Sequence, residues 1–162
     1  MTSIKEMDQN NWVCYKFGDS SYYYGELGLL DTFGVVHPKD NAELAADPKV
    51  KLVKHGFGLY IYDDPTGSVR YEGNWAKDQK NGKGLLKFKD GSQYEGQFKD
   101  GYYHDSGIFK WANGDIYDGR WKKGRMEGPG LFKRHDGLSL KGSFKNNYFI
   151  DSNNLRNPFM SE

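Results

Sequence analysis

The stretch Tyr94-Glu95-Gly96-Gln97-Phe98 decides the fold, because close copies of it recur at intervals of 23 residues. The copies are Tyr71-Glu72-Gly73-Asn74-Trp75, Tyr117-Asp118-Gly119-Arg120-Trp121 and Leu140-Lys141-Gly142-Ser143-Phe144, and no spacer between them gains or loses a residue. A fixed period of this length is the signature of a repeat protein, in which each unit packs on its neighbours. Such an array builds an extended surface and seldom encloses a catalytic pocket.

Turn dipeptides and apolar runs divide each unit into two strands. Asp90-Gly91, Asn113-Gly114 and Asp136-Gly137 precede the last three copies. Such pairs favour two-residue hairpin turns, in which both residues have positive φ. A second glycine pair, Gly82 and Gly84, opens the following apolar strand. The pattern therefore predicts an all-β fold: an elongated, single-layer antiparallel meander of hairpins, with strands of about four to seven residues.

The glycine inside each copy has a packing role. Side chains at alternate strand positions share one face, so Tyr94, Gly96 and Phe98 point the same way. A glycine between two rings leaves bare backbone, which a ring from the adjacent hairpin can cover. We therefore expect interleaved aromatic columns, whose offset or edge-on pairs contribute about 0.5–1.5 kcal/mol beyond area burial.

The pattern Tyr-x-Gly-x-Trp-x-x-Gly-x-x-x-Gly-x-Gly, most complete over residues 71–145, resembles the MORN (membrane occupation and recognition nexus) repeat family. Asp78 departs from it at a turn glycine, Asp105 at the first glycine of Gly-x-Gly, and Leu140 at the tyrosine. Decay in the last unit, which ends at Asn147, is what the cap of an array should show. The resemblance implies a scaffold of cytoskeletal and ciliary assemblies or of membranes, and some members bind a partner helix along the repeat groove.

Degenerate copies extend the array upstream. His55–Tyr62 aligns with Gly82–Phe88 once a longer turn is allowed, and residues 17–25 mirror residues 88–96. A short helix is predicted within residues 40–47, which an asparagine or aspartate can cap and Pro48 can end. The predicted order is an N-terminal tail over 1–11, a degenerate first hairpin over 12–30, an insertion with the helix over 31–54, the array over 55–147 and a C-terminal cap or tail over 148–162.

Composition agrees with one elongated domain in a reducing compartment. Of the 162 residues 36% are apolar and 16% aromatic, so rings supply nearly half of the apolar content, and 21 glycines fit a turn-rich meander. No apolar run approaches the roughly 18 residues of a membrane span, and residues 1–10 lack a secretory signal. Cys14 is the only cysteine, which excludes an internal disulfide. We expect a cytoplasmic protein of the cytoskeleton and, by resemblance, of a cilium or flagellar axoneme.

The formal net charge of +1 is unevenly distributed. Residues 1–70 carry seven Lys and Arg against ten Asp and Glu, whereas residues 71–145 carry fifteen against ten. The basic excess is either a solvated strand face or a surface for an acidic partner, such as anionic lipid. Its densest part is the basic cluster, which consists of Arg120, Lys122, Lys123 and Arg125. Nucleic acid is not an expected partner, because carboxylates are interspersed among these charges.

Catalytic and cofactor sites are not predicted. Gly-x-Gly occurs at Gly56, Gly82 and Gly128, but none continues as a dinucleotide fingerprint. The four histidines are dispersed, without the spacing of metal ligands. Most carboxylates fall in turns, where aspartate supports turn geometry. We expect a non-enzymatic chain that holds no cofactor and no metal.

Aromatic residues of the repeat are the predicted anchors for a protein partner within a larger complex. The candidates are Tyr71, Trp75, Tyr94, Phe98, Trp111, Tyr117 and Trp121. For the three tyrosines, packing within the sheet is the favoured alternative. An extended or helical partner segment along the groove is the expected mode of recognition. The tail sequence Asn157-Pro158-Phe159 is either a peptide motif of the kind read by endocytic adaptor domains or, as we favour, part of a cap with Leu155.

Overall fold

The structure is a computed structural model that describes residues 13–16, 21–62, 68–151 and 154–160. The predicted tail over 1–11 and the turn of the first hairpin at 17–20 lie outside these residues. The elements are β1 (Val13–Lys16), β2 (Tyr22–Leu30), β3 (Val36–Pro38), α1 (Ala42–Ala45), β4 (Lys51–Ile61), β5 (Ser68–Ala76), β6 (Gln79–Phe88), β7 (Gln93–Lys99), β8 (Tyr102–Lys110), β9 (Ile116–Lys122), β10 (Arg125–Lys133), β11 (Ser139–Lys145), β12 (Tyr148–Asp151) and β13 (Asn154–Arg156).

The described strands form one open antiparallel sheet. They follow chain order across it, except that β3 pairs with β2 beside the main path. The predicted single-layer meander is therefore confirmed, as is the short helix. Asn41 caps α1, because its Oδ1 accepts a hydrogen bond from the Leu44 amide at 3.1 Å. β4 begins at Lys51 and runs without a break across the predicted end of the insertion at residue 54.

Glycine faces glycine across most of the sheet. In the register of strands β2 and β4–β11, each repeat glycine lies opposite the glycine of the neighbouring strand. The column consists of Gly25, Gly58, Gly73, Gly84, Gly96, Gly107, Gly119, Gly130 and Gly142. A single residue inserted between two of these glycines would move the column to the other face of its strand, so the constant period follows from this register.

A tyrosine side chain occupies the space above each glycine pair in the middle of the array. A Cβ added at Gly107 would lie 2.2 Å from the Tyr94 hydroxyl oxygen, and one at Gly96 would lie 2.7 Å from the same atom. That hydroxyl donates a hydrogen bond to the Gln97 carbonyl at 2.9 Å. The expectation that a ring of the adjacent hairpin covers the glycine is therefore wrong for Gly73, Gly96 and Gly119, whereas Phe149 of the following strand covers Gly142. The covering tyrosine lies two positions before the glycine of its own strand, and its ring also covers the facing glycine of the next strand. Its hydroxyl reaches the carbonyl three residues further along its own strand.

Nine rings form a continuous row of edge-to-face pairs on this face of the sheet, which we call the aromatic ladder. Neighbouring centroids lie 4.9–5.7 Å apart and the planes meet at 62–90°. In spatial order the rings are Tyr23, Trp75, Tyr71, Phe98, Tyr94, Trp121, Tyr117, Phe144 and Phe149. The Trp121 indole N–H also donates to the Gly107 carbonyl at 3.0 Å. The rings therefore supply the core that a single layer otherwise lacks.

The two-residue turns are not at the predicted Asp-Gly and Asn-Gly pairs. Gly91 has a φ of 90°, but Asp90 is not among the positive-φ residues. The Phe88 amide donates to the Ser92 carbonyl, so this loop holds three residues and ends in a left-handed glycine. Both central residues have positive φ at the opposite edge instead, as at Asp100 (51°) and Gly101 (85°). The length of a loop is set by which two residues form the last backbone pair before the turn. An Asp-Gly or Asn-Gly dipeptide does not by itself indicate which residues form that pair.

Replacing Gly107 with alanine tests the contact between tyrosine and glycine. We expect Gly107→Ala to lower the free energy of unfolding by about 1–3 kcal/mol, because the new methyl group overlaps the Tyr94 ring. Urea unfolding followed by circular dichroism measures the change. Ser106→Ala is the matched control, since Ser106 is the exposed preceding residue. Equal unfolding midpoints for the two variants would contradict the contact.

Alkaline pH should destabilise the fold through its buried phenols. Burial, followed by the negative charges of Asp118 and Glu127, raises the pKa of Tyr117 from 10.0 to about 12. The folded chain thus holds this proton more tightly than the unfolded chain. The contribution to stability is complete below pH 10 and is lost as the pH rises from about 10 to 12.

Urea unfolding of the wild type and of Tyr117→Phe between pH 8 and pH 12 measures this effect. The variant should lose about 0.5–1.5 kcal/mol at pH 8, since it lacks the hydrogen bond from the hydroxyl to the Arg120 carbonyl. Its stability should then decline less steeply than that of the wild type above pH 10. Parallel declines would show that Tyr117 does not carry the dependence.

Candidate functional site

Six of the seven predicted anchor residues are buried in the aromatic ladder. These are Tyr71, Tyr94 and Tyr117, which are 0% exposed, and Trp75, Phe98 and Trp121, which are 3–6% exposed. The expectation that they form an exposed aromatic surface is wrong, because the open sheet uses its largest rings to cover its own backbone. The favoured alternative for the tyrosines, packing within the sheet, is what the structure has. Trp111 is the one anchor that remains half-buried.

A second set of rings runs beside the ladder and stays half-buried. We call it the aromatic strip, and it consists of Tyr60, Tyr62, Phe88, Phe109 and Trp111. The Tyr60–Tyr62 and Phe109–Trp111 centroids are 4.5 Å apart, and the Phe88–Phe109 centroids are 5.8 Å apart. All five rings lie on or just after β4, β6 and β8. None of these strands carries a tyrosine that covers a glycine pair. Sequence reasoning included Trp111 but missed the other four, although the recurrence of rings at 88 and 111 was visible in the period.

Two lysines lie over rings at one end of the strip. The Lys54 ammonium lies 5.2 Å from the Tyr60 ring centroid, and the Lys80 ammonium lies 5.2 Å from that of Tyr62. Each also lies over a ladder ring. Lys54 in addition pairs with Asp78 at 3.2 Å. The end of the strip near β4 therefore combines apolar ring surface with ammonium groups that the chain itself already engages.

The opposite end of the strip is covered by the C-terminal segment. Phe159 contacts Trp111 at 5.1 Å and Phe132 at 5.0 Å between centroids, both edge-to-face, and Pro158 is fully buried. The segment is thus a cap in this structure: it packs on β10 of the β10–β11 hairpin and reaches Trp111, just after β8. Leu155 was predicted to belong to the cap, yet it is 58% exposed.

The basic cluster gathers at the turn between β9 and β10. All four of its side chains are exposed. Carboxylates lie close by: Arg120 approaches Asp105 at 4.0 Å, and Glu127 accepts a hydrogen bond from the Asn146 amide at 2.9 Å in the adjacent turn. The structure therefore brings the four predicted residues together, but on a surface of mixed charge.

The edge formed by the three-residue turns is held by buried polar side chains. Asp115 is 3% exposed and accepts hydrogen bonds from the backbone amide and the ring Nδ1 of His135, at 2.9 and 2.8 Å. Burial by itself would raise the pKa of Asp115, but these hydrogen bonds and one from Asn113 outweigh burial and lower that pKa. Ser92 occupies the equivalent place and accepts from the Ala112 amide at 3.0 Å. These groups join successive turns, so their role is structural.

A depression beside the insertion offers no enclosed pocket. It has a volume of about 300 Å³ and includes Glu26, His37 and His55. Across the described parts of the chain, no group of three or more His, Cys, Asp or Glu side chains is arranged to hold a metal ion. Nor does any described helix have the length and apolar character needed to cross a bilayer. The aromatic strip is therefore the feature of this molecule best suited to recognition.

Comparison with protein-family models supports the repeat assignment. A model described as the MORN repeat matches residues 53–64, 71–93, 94–116 and 117–139, which together make up half of the chain. The three full-length matches begin at Tyr71, Tyr94 and Tyr117, the tyrosines that cover the glycine pairs. The first match confirms that the repeat extends upstream of residue 71.

Alanine substitutions should separate the ladder from the strip. We expect Phe98→Ala to cost about 3–5 kcal/mol of unfolding free energy, because Phe98 is 3% exposed and packs between Tyr71 and Tyr94. Phe88→Ala should cost less than about 2 kcal/mol, since its ring is only half-buried. Urea unfolding of both variants provides the comparison. Similar losses would mean that the strip is as structural as the ladder and is a poor candidate for binding.

Proposed function

The chain belongs to the MORN repeat family, and from this premise we propose that it is a non-enzymatic scaffold or adaptor subunit. It binds a protein segment along the aromatic strip and holds that partner in a larger complex. MORN repeats as a class bind proteins or membranes, and their open all-β fold is a binding module. The complex we favour is a ciliary axoneme or another cytoskeletal assembly in the cytoplasm, which follows from the family resemblance.

The exposure of the strip is the observation that carries the proposal. Its five rings are half-buried, whereas the ladder rings beside them are at most 6% exposed apart from the terminal Phe149. Partly exposed aromatic rings lose little conformational entropy on binding and dominate protein interfaces. The strip crosses the strands from β4 to β8, and strands lie about 4.8 Å apart. It is therefore long enough for an extended or helical segment rather than a single side chain.

A peripheral membrane or phosphoinositide-binding module is the second candidate function. The exposed basic cluster favours it, since each lysine or arginine near an anionic surface contributes about 1 kcal/mol. Asp105 lies 4.0 Å from Arg120, and Glu127 lies in the same region, which reduces the positive potential. The membrane function predicts binding that declines steeply with salt, whereas the aromatic strip predicts binding that does not.

Two double variants on the same strands test the adaptor function. Phe88→Ser with Phe109→Ser removes two strip rings, and Leu85→Ser with Ile108→Ser is the matched control on the reverse face, where both side chains are equally half-buried. Tagged full-length chains are expressed in cells, extracted with detergent and cross-linked for mass spectrometry. We expect the wild type and the control to retain the same protein partner at 0.5 M salt, with cross-links near the strip, and the strip variant to lose it.

Vesicle binding decides between the two functions. Wild-type chain and Lys122→Glu with Lys123→Glu are sedimented with vesicles that contain phosphatidylserine or a phosphoinositide, at low and high salt. Strong binding of the wild type that salt and charge reversal abolish, together with partner retention by the strip variant, would favour the membrane module and refute the adaptor.

A further inference from the structure

The C-terminal segment shows what kind of ligand the end of the strip accepts. The Phe159 ring contacts Trp111 and Phe132 edge-to-face, at interplanar angles of 78° and 81°. Pro158 beside it is fully buried although it belongs to a terminal segment. An aromatic residue preceded by proline thus fits the cleft between these two rings.

The segment makes its own turn and needs few contacts to be held. Asn157 Oδ1 accepts a hydrogen bond from the Phe159 amide at 3.0 Å, which is an Asx turn closed within three residues. Arg134 Nη1 then donates to the Met160 carbonyl at 3.1 Å. Because the turn is local, an unrelated chain with asparagine or aspartate, proline and an aromatic residue in succession could present the same ring.

The segment covers its site incompletely. Phe159 is 43% exposed and Met160 is 66% exposed, whereas Pro158 is buried. Beside Phe159 lies an open depression of about 330 Å³, which is lined by Arg125, Asn146, Asn147, Tyr148, Asn157 and Phe159. A longer ligand could continue into this depression, where guanidinium and amide groups would bind its carbonyl or carboxylate oxygens. The short segment of the chain itself leaves that space unfilled.

The covered cleft also continues into the open strip. Trp111 contacts Phe159 on one side and Phe109 on the other, the latter at 4.5 Å. By the 23-residue period, Phe88 and Phe109 occupy the places that Trp111 and Phe132 have in the next unit. A ligand seated in the terminal cleft could therefore extend over the equivalent rings one unit upstream.

From these contacts we infer that residues 157–160 are a built-in competitor for the partner. The partner segment carries an Asx-Pro-aromatic turn, and its ring replaces Phe159 between Trp111 and Phe132. This inference rests on the proposed adaptor function, since it specifies which segment the strip recognises. The partner can bind only those molecules in which the tail has left the cleft. Its apparent affinity is therefore the intrinsic affinity multiplied by the fraction of molecules with an open cleft.

The experiment uses a fluorescein-labelled peptide with the sequence of residues 154–160 as the probe, and full-length chain throughout. We expect Phe159→Ala to bind the peptide at least tenfold more tightly than the wild type in fluorescence anisotropy, because the competing ring is gone. Arg134→Ala removes a hydrogen bond that the tail and the peptide would both make through the Met160 carbonyl, so it should not tighten binding as Phe159→Ala does. A peptide with alanine in place of its phenylalanine should not bind to either variant.

Adding Trp111→Ala to the Phe159→Ala chain should abolish peptide binding, while circular dichroism shows that the fold is retained. Equal affinities of the wild type and Phe159→Ala would overturn the inference, as would binding that survives the loss of Trp111. Dimers of the wild type that become monomers in Phe159→Ala would assign the cleft to a second copy of the chain and overturn it likewise.

The failure of this inference and the failure of the adaptor function are distinguishable. If no variant binds the peptide but the Phe88 and Phe109 double variant still loses its protein partner, the competitor is refuted and the adaptor stands. If that double variant keeps its partner, the adaptor function itself is refuted.

Discussion

A tyrosine ring packed over two facing glycines leaves no room for a Cβ on either strand, and the rest of the sheet depends on this contact. A Cβ added at Gly107 would lie 2.2 Å from the Tyr94 hydroxyl oxygen, a distance that real Cβ atoms do not show. The ring gains a hydrogen bond to its own strand and an edge-to-face neighbour on each side. Glycine weakens an isolated strand, so its presence at the centre of each strand is explained by the ring that it admits.

An open sheet without a second layer has to bury one face with its own side chains. The aromatic ladder does this, and its rings are therefore unavailable to a partner. The strip beside it consists of rings that complete the burial only partly, since the sheet ends there at its three-residue turns. Stability and the proposed recognition of a partner would then fall to neighbouring rows of the same face. The contact of Phe159 with Trp111 shows that the strip can accept an additional aromatic ring.

Sequence reasoning predicted the architecture well and the surface poorly. The constant period, the alternation of faces and the Asx cap at Asn41 all depend on residues close in sequence, and the structure confirms each of them. The seven predicted anchors were chosen because aromatic residues favour interfaces, and six proved to be core. An aromatic residue in a repeat favours burial and binding equally, so composition cannot decide between them. Residue 88 recurred with residue 111 in the period, and that was the available signal for the strip.

The sequence by itself determined the repeat, its register and the antiparallel order of the strands, because each of these follows from spacing along the chain. Only the tertiary structure decided which edge carries the two-residue turns, which strand supplies the ring over each glycine pair and which rings stay exposed. It also decided that Phe159 reaches beyond the β10–β11 hairpin to Trp111 at the end of the strip. These outcomes depend on contacts between residues far apart in the chain, where the twist of the sheet sets the distances and spacing alone does not.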